Sequence, residues 1–460
     1  MKNETIAAVA THLSESGISI IRVSGPDAFS IGDKIFKGVD GGKVSSYKTH
    51  TIHYGFIYNC EEIVDEVMLS VMKGPKSYTT EDTIEINCHG GLLITQKVLE
   101  IVINNGARLA LPGEFTKRAF LNGRIDLTKA EAIMDVISAD NNLALKASMN
   151  HLRGDIYNKI SEFRNMLIHE TAFIESALDD PEHISLDGYS DILYSKIKDI
   201  LYELRKMEES AKNGQIIKDG ILTVIVGKPN AGKSSFLNML LGKDKAIVTD
   251  IAGTTRDALE QNIKINDVSL NIVDTAGIRF TKDEVEKIGV SKAKEYVSDA
   301  DLILYVVDSS IPLDENDYDI IELIKDKKTI ILFNKSDLTP VVNENDVLKH
   351  FSNDNVSLLK ISAKEKIGLY EFEEIVKEFI FKNNISFNSE LIITNVRHRE
   401  KICETIESLE LVINSIEASM PEDFLTIDLM SAYESLGNII GEEISEDLVN
   451  EIFSKFCMGK

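Results

Sequence analysis

A run of eight residues, Gly227-Lys228-Pro229-Asn230-Ala231-Gly232-Lys233-Ser234, reads GxxxxGKS, and further short patterns follow it in order. In such a loop the glycines let backbone N–H groups close around phosphate oxygens, the lysine reaches the β and γ oxygens, and the serine hydroxyl suits Mg²⁺. Asp274-Thr275-Ala276-Gly277 comes next; its carboxylate suits the Mg²⁺ shell and its glycine can sense a γ-phosphate. In Asn334-Lys335-Ser336-Asp337 the last carboxylate matches the paired N–H donors of guanine, which adenine lacks. Ser362-Ala363-Lys364 would close the base pocket. By chance the loop pattern alone would occur in roughly two such chains per hundred at average glycine usage. Asp274 or Asp337 alone would read as a solvated loop carboxylate; the ordered set points to a GTPase.

Groups of this kind need strands that end beneath them. Ile221-Leu222-Thr223-Val224-Ile225-Val226 is an apolar run directly before the loop, and Ser235-Phe236-Leu237-Asn238-Met239-Leu240-Leu241 reads as the helix behind it. Phosphate would then meet a helix N-terminus. Leu270-Asn271-Ile272-Val273, Ile330-Ile331-Leu332-Phe333 and Leu358-Leu359-Lys360-Ile361 precede the other motifs. From residue 218 to about 381 such runs alternate with helical patterns, as a mostly parallel sheet with helices on both faces requires.

The flanks differ. Between Gly123 and Gly214 only Gly154 and Gly188 interrupt the chain, and Ala130, Ile133, Met134 and Ile137 mark one helical face. Beyond residue 395, Ile402, Ile406, Leu409, Ile413 and Ile416 recur at steps of four and three. Asp179-Asp180-Pro181-Glu182-His183 and Met420-Pro421-Glu422-Asp423 read as helix breaks. Each flank is short for an independent bundle, so the simplest architecture inserts the α/β domain into one all-α domain. Before residue 120, strands are expected at 18–23, 50–58, 63–72 and 83–88 and a helix at 92–104, an α+β domain without a Gly-x-Gly-x-x-Gly fingerprint. The expected divisions are 1–119 (α+β), 120–216 and 383–460 (helical), and 217–382 (inserted α/β).

At 460 residues the chain has room for about three domains. A formal charge of -25 argues against broad sequence-independent nucleic-acid binding, which depends on Lys/Arg neutralising phosphates. Any RNA must be held locally or by a partner. Cys60, Cys88, Cys403 and Cys457 form no CxxC pair, so neither a zinc cage nor a disulfide framework is indicated, and a reducing cytoplasm fits. No apolar run approaches about 18 residues and no signal-peptide layout is present, so no membrane span is expected.

Ras-like enzymes place a glutamine after DxxG to position the attacking water. Here Ile278 stands there, and the nearby Asp283-Glu284-Val285-Glu286 offers three carboxylates instead. Thr249-Asp250-Ile251-Ala252-Gly253-Thr254-Thr255-Arg256-Asp257 lies where the first switch loop belongs. Its threonines suit Mg²⁺, its carbonyls a second cation, and Arg256 an arginine finger worth about 10³–10⁵ in rate; the residues leave both routes open.

Together with residues 112–124 and the terminal Phe456-Cys457-Met458-Gly459-Lys460, these segments resemble the MnmE (TrmE) family of tRNA modification GTPases along essentially the whole chain. The resemblance implies GTP contacts from Asn230, Ala231, Gly232, Lys233, Ser234 and Ser235; from Thr249, Asp250, Ile251, Ala252, Gly253, Thr254 and Thr255; from Asp274, Thr275, Ala276 and Gly277; and from the two base motifs. It implies K⁺ at Asn230, Thr249, Ile251 and Thr254, Mg²⁺ at Ser234 and Thr255, and Glu286 as the catalytic acidic residue that orients water. G domains of a homodimer would meet across their nucleotide faces when K⁺ is bound, the ion standing in for an arginine finger. The N-terminal domain would bind 5-formyl-tetrahydrofolate through Arg22, Glu81, Arg124 and Lys460. Without the resemblance, Glu81 and Arg124 would read as surface ion pairs. One departure is Thr11-His12-Leu13-Ser14-Glu15-Ser16-Gly17, where the family has a Pro-Gly-rich turn. Cys457 reads equally as a reactive thiol near Lys460 or as a small buried hydrophobe.

The implied protein is a cytoplasmic, dimeric, K⁺-stimulated GTPase. With a flavin-binding MnmG-like partner, in a hetero-tetramer, it would install an aminomethyl or carboxymethylaminomethyl group at C5 of the tRNA wobble uridine, with folate as the one-carbon donor. Two alternatives stand beside it: a ribosome-assembly GTPase of the Era or Der kind, and a folate-dependent methyltransferase with a regulatory nucleotide domain. Residues 395–460 lack both a Gly-x-x-Gly loop and a basic cluster beyond Arg397-His398-Arg399, which disfavours the first.

Overall fold

The computed structural model describes residues 4–242, 260–265, 268–274, 295–351, 355–381, 391–442, 444–456 and 458–459. The chain divides into two compact units, one of residues 1–137, 149–197 and 407–460, the other of 138–148 and 198–406.

In the first unit β1 (Ile6–Val9), β2 (Ser16–Ser24), β3 (Phe36–Gly38), β4 (Thr51–Asn59), β5 (Glu62–Met72), β6 (Thr83–Gly90) and β7 (Arg108–Leu109) form one sheet. Its order is β3-β4-β5-β6-β2-β1-β7, antiparallel except between β1 and β7. Side-chain alternation builds it: Val67, Leu69 and Val71 are buried while Glu66 and Met68 face out. Ile86 sits opposite both Leu69 and Ile21, and Ile84 opposite Val71 and Val23. Ile31 and Ile35 of the helix Ala28–Ile35, with Val98 and Val102 of the helix Leu92–Asn104, complete that core. The four expected strands and the expected helix are present; β1, β3 and β7 are too short to show a period.

Helices fill the rest of this unit. Leu127–Ser138 packs Leu127, Ala130 and Met134 on Val449, Phe453 and Phe456. Ile137, expected on its inner face, is exposed in the helix's last turn, outside the cluster that Phe453 and Phe456 form with Leu127, Ala130 and Met134. Asp155–Asp179 and Glu422–Ile440 stop and start where the helix breaks were expected. Arg164 is buried between them, stacked 4.0 Å from the Tyr433 ring and bonded to Glu442. Gly437 allows this, since a Cβ there would come within 3.0 Å of the guanidinium.

In the second unit β8 (Ile221–Val226), β9 (Glu260–Ile265), β10 (Val268–Asp274), β11 (Leu302–Asp308), β12 (Thr329–Asn334) and β13 (Val356–Lys360) lie in the order β13-β12-β11-β8-β10-β9. All pairs are parallel except β9 with β10. β11 and β12 are buried at every position, as central strands covered on both faces must be. Leu302, Leu304 and Val306 pack with Phe236 and Phe372 on one face; Ile303, Tyr305 and Val307 pack with Ile320 and Ile324 on the other. The parallel strands end together at the edge where α/β sheets present ligand-binding loops.

Candidate nucleotide site and a second polar cluster

β8 runs straight into the phosphate loop. Gly227 opens it at φ +150, with β11 so close that a Cβ would lie 2.4 Å from the Val306 carbonyl. Asn230 turns at φ +65, and Gly232 at φ +101 precedes the helix Lys233–Leu241. The helix therefore presents its first N–H groups beside the loop, the arrangement that suits an anion. Lys233 Nζ donates to the carbonyls of Gly227 at 2.7 Å and Lys228 at 2.8 Å, which hold the ammonium over the loop.

Asn334, at the end of β12, ties the motifs together. Its buried Nδ2 donates to the Ala231 carbonyl at 2.8 Å, and its Oδ1 accepts the Ala363 N–H at 3.1 Å. One side chain thus joins the phosphate loop to the segment expected to close the base pocket. Lys335 takes φ +63 and its ammonium pairs with the buried Asp308 carboxylate. Burial alone would raise the Asp308 pKa, but the hydrogen bonds from Lys335 and Ser310 outweigh it and hold it below the ordinary value. The Ser336 N–H donates to the Ile361 carbonyl at 3.0 Å. Asp337 stays exposed; the Ser362 hydroxyl donates to it at 2.7 Å and lowers its pKa, keeping it ionised as an acceptor. Lys364 is exposed beside Glu365.

The structure therefore brings Asn230, Ala231, Gly232, Lys233, Ser234 and Ser235 into one loop and helix start, with Asn334 joining that loop to the segment of Ser362, Ala363 and Lys364. Asp274 ends β10, next to β8 in the sheet. Residues 249–255, Thr275, Ala276, Gly277, Glu286, Cys457 and Lys460 lie outside the described residues. The loop's N–H groups and ammonium fit a polyphosphate, and the ionised Asp337 fits a guanine edge.

A second polar cluster lies in the other unit. Arg22 on β2 donates to Glu85 at 2.8 Å and to the Gly459 carbonyl at 3.2 Å. Its guanidinium is 5.3 Å from the Tyr78 ring centroid, and that of Arg124 is 4.9 Å from the same ring. Arg124 also donates to the Tyr78 carbonyl at 2.9 Å. Glu81 accepts from the Ser24 hydroxyl at 2.9 Å and pairs with Arg118 at 3.1 Å. Arg118 continues to Glu114, Glu114 to Arg108 and Arg108 to Glu4, a chain of alternating charge. Beside it a cavity of about 430 Å³ is lined by Glu81, Leu111, Arg118, Asn122 and Phe453, among others. Three of the four folate candidates thus cluster around the loop of Tyr78 and Glu81.

Sequence reading missed Glu114, Arg118 and Tyr78. The i,i+4 spacing of Glu114 and Arg118 was the available signal, and it could not say what else Arg118 would meet. Cys88, on β6, is buried and its thiol is pushed up to about 11, first by burial and then by Asp65, so it is not a thiolate at neutral pH. Among the described residues no helix is long and apolar enough to cross a membrane, and no group of three His, Cys, Asp or Glu is placed to hold a metal.

A family model described as the MnmE helical domain matches residues 127–457, and one described as the GTP-binding protein TrmE N-terminus matches residues 5–124. The chain is 54% identical to the tRNA modification GTPase MnmE of Lachnoclostridium phytofermentans over 100% of both chains. It is 45% identical to that of Clostridioides difficile, over 100% of this chain and 99% of that protein. A solved structure of Aquifex aeolicus Era bound to GDP.AlF4- is 27% identical, covering 42% of this chain and 67% of that chain with a TM-score of 0.27.

Proposed function

Because the chain belongs to the MnmE (TrmE) family of tRNA modification GTPases, we propose that it hydrolyses GTP in a K⁺-stimulated reaction coupled to modification of the tRNA wobble uridine. The observation that carries the nucleotide half is Asn334, whose two hydrogen bonds join the phosphate loop to the Ser362-Ala363-Lys364 segment. Asp337 selects guanine, the loop amides and Lys233 hold the β and γ phosphates, and water attacks the γ-phosphorus as its bond to the β–γ bridging oxygen breaks, releasing GDP and inorganic phosphate. Ser234 and Thr255 would hold Mg²⁺; Asn230, Thr249, Ile251 and Thr254 would hold K⁺. Bound there, the cations neutralise charge that develops on the phosphate oxygens. Glu286 orients the water, the role that Ile278 is too apolar to fill.

The N-terminal cluster supports the second half. Glu81 offers a carboxylate to the N–H edge of a pterin, and Arg22, Arg124 and Lys460 offer cations to a folate's glutamate tail, so 5-formyl-tetrahydrofolate is the proposed ligand. On this reading the domains are 1–119 for folate, 120–216 with 383–460 as the helical body, and 217–382 for GTP. The protein works in the cytoplasm as a homodimer with a flavin-bearing MnmG-like partner and tRNA, installing an aminomethyl or carboxymethylaminomethyl group at C5. Two measurements test it. Hydrolysis should be much faster in K⁺ than in Na⁺, and equal rates would remove the cation role. Wobble-uridine modification should be missing from tRNA of a strain lacking the protein; intact modification would eliminate the function.

A further inference from the structure

Lys228 is the second residue of the phosphate loop, yet the residue is only 9% exposed. Its ammonium lies 2.6 Å from Asp317 Oδ2 and 3.0 Å from Asp314 Oδ2. These two carboxylates are themselves fixed. Asp314 and Asp317 form the reciprocal cap of the helix Glu315–Ile324, and the buried Tyr305 hydroxyl of β11 donates to Asp317 at 3.2 Å. Burial pushes the Lys228 pKa down, but its hydrogen bonds to Asp317 and Asp314 outweigh that and hold it above the ordinary value. The same residue's carbonyl accepts Lys233 Nζ at 2.8 Å and the Ala231 N–H at 3.3 Å. Lys228 therefore joins a rigid helix cap at its side chain to the cage of the phosphate-binding ammonium at its backbone.

We propose that Lys228 is a positioning residue for GTP hydrolysis: its ion pair with Asp317 and Asp314 sets the carbonyl that aims the Lys233 ammonium at the phosphates. The inference rests on the GTPase reading above. An ion pair that only stabilised the fold would weaken GTP and GDP binding together. One that aims Lys233 acts on the β and γ oxygens and changes the rate and the preference for GTP over GDP. Misplacement by about 1 Å costs about 100-fold in rate.

The test uses the full-length protein. Lys228→Met should lower kcat by about 10- to 100-fold and reduce the ratio of GTP to GDP affinity. Alone it leaves a buried carboxylate uncompensated, which destabilises the fold. Lys228→Met combined with Asp317→Asn removes that charge, and the asparagine oxygen can still accept the Asp314 N–H while its amide donates to the Tyr305 hydroxyl oxygen; it should melt near the wild-type temperature and remain slow. Lys228→Arg, whose forked guanidinium reaches both carboxylates, should recover most of the rate. The proposal is overturned if the double variant turns over GTP at the wild-type kcat with an unchanged GTP to GDP ratio. A wild-type protein that binds and hydrolyses no GTP would instead overturn the nucleotide reading itself.

Discussion

The nucleotide loop and the Glu81–Arg118 cluster are both polar sites beside a sheet, but they are built in opposite ways. Residues 227–235 do their work through backbone conformation, with positive φ at Gly227, Asn230 and Gly232, so that local sequence specifies most of the geometry. The cluster does its work through side chains from residues 4, 22, 81, 108, 114, 118 and 124, which approach one another only through the sheet register and the chain's packing. A site made of main-chain amides tolerates exposure, because its donors are held by the fold. A site made of half-buried charges must satisfy each one, and removing one member strands the next.

That contrast can be tested at both ends. The largest effect is expected from Asp337→Asn, which removes the acceptor for guanine and should shift preference toward xanthosine nucleotides on the order of 10⁴-fold, read from GTP and XTP hydrolysis. Unchanged discrimination would remove Asp337 from the base pocket. Arg118→Ala leaves Glu81 and Glu114 without their shared cation and should cost about 3–5 kcal/mol, seen as a lower midpoint in urea, with nucleotide binding retained. A loss near zero would mean that the charge chain is solvated rather than coupled. Arg124→Ala, at an exposed position, should leave the melting temperature unchanged while weakening folate binding in calorimetry; equal affinity would detach Arg124 from the folate proposal.

The smallest effect concerns His89, at the end of β6. Asp65 Oδ1 is 2.6 Å from its Nδ1, and this hydrogen bond, reinforced by the charge of Asp65, raises its pKa above the ordinary 6.5. A raised folded-state value means the pair's contribution is fully present below pH 6.5 and fades as pH rises through the folded value. An NMR titration should place the His89 midpoint above 6.5 and Asp65→Asn should return it; an unmoved midpoint would show that the pair carries no charge coupling.

Much of the nucleotide site was legible because strand, loop and helix follow one another in the chain. The run Ile221–Val226 is β8 over its full length, and the helix starts at Lys233, inside the motif. The link from Asn334 to Ala231 was not legible, since it spans 103 residues and depends on the order of β8, β11 and β12 in the sheet. Lys228 shows the same limit inside the motif itself: nothing in the pattern GxxxxGKS says where its second side chain goes. In the helical part, periodicity located the helix Leu127–Ser138 and its face but not that Ile137 in the last turn is exposed, because how far along a face the packing reaches depends on the partner.

By itself the sequence determined the order of elements, the phosphate loop and the residues able to recognise guanine, for these follow from glycine conformation, apolar period and hydrogen-bonding groups within a few positions. Only the tertiary structure decided which charges neutralise one another: Arg118 with Glu81 and Glu114, Lys228 with Asp317 and Asp314. The physical reason is range. Backbone torsion and strand period act between neighbours in the chain, whereas a buried charge is satisfied by whatever partner the packing brings within about 3 Å.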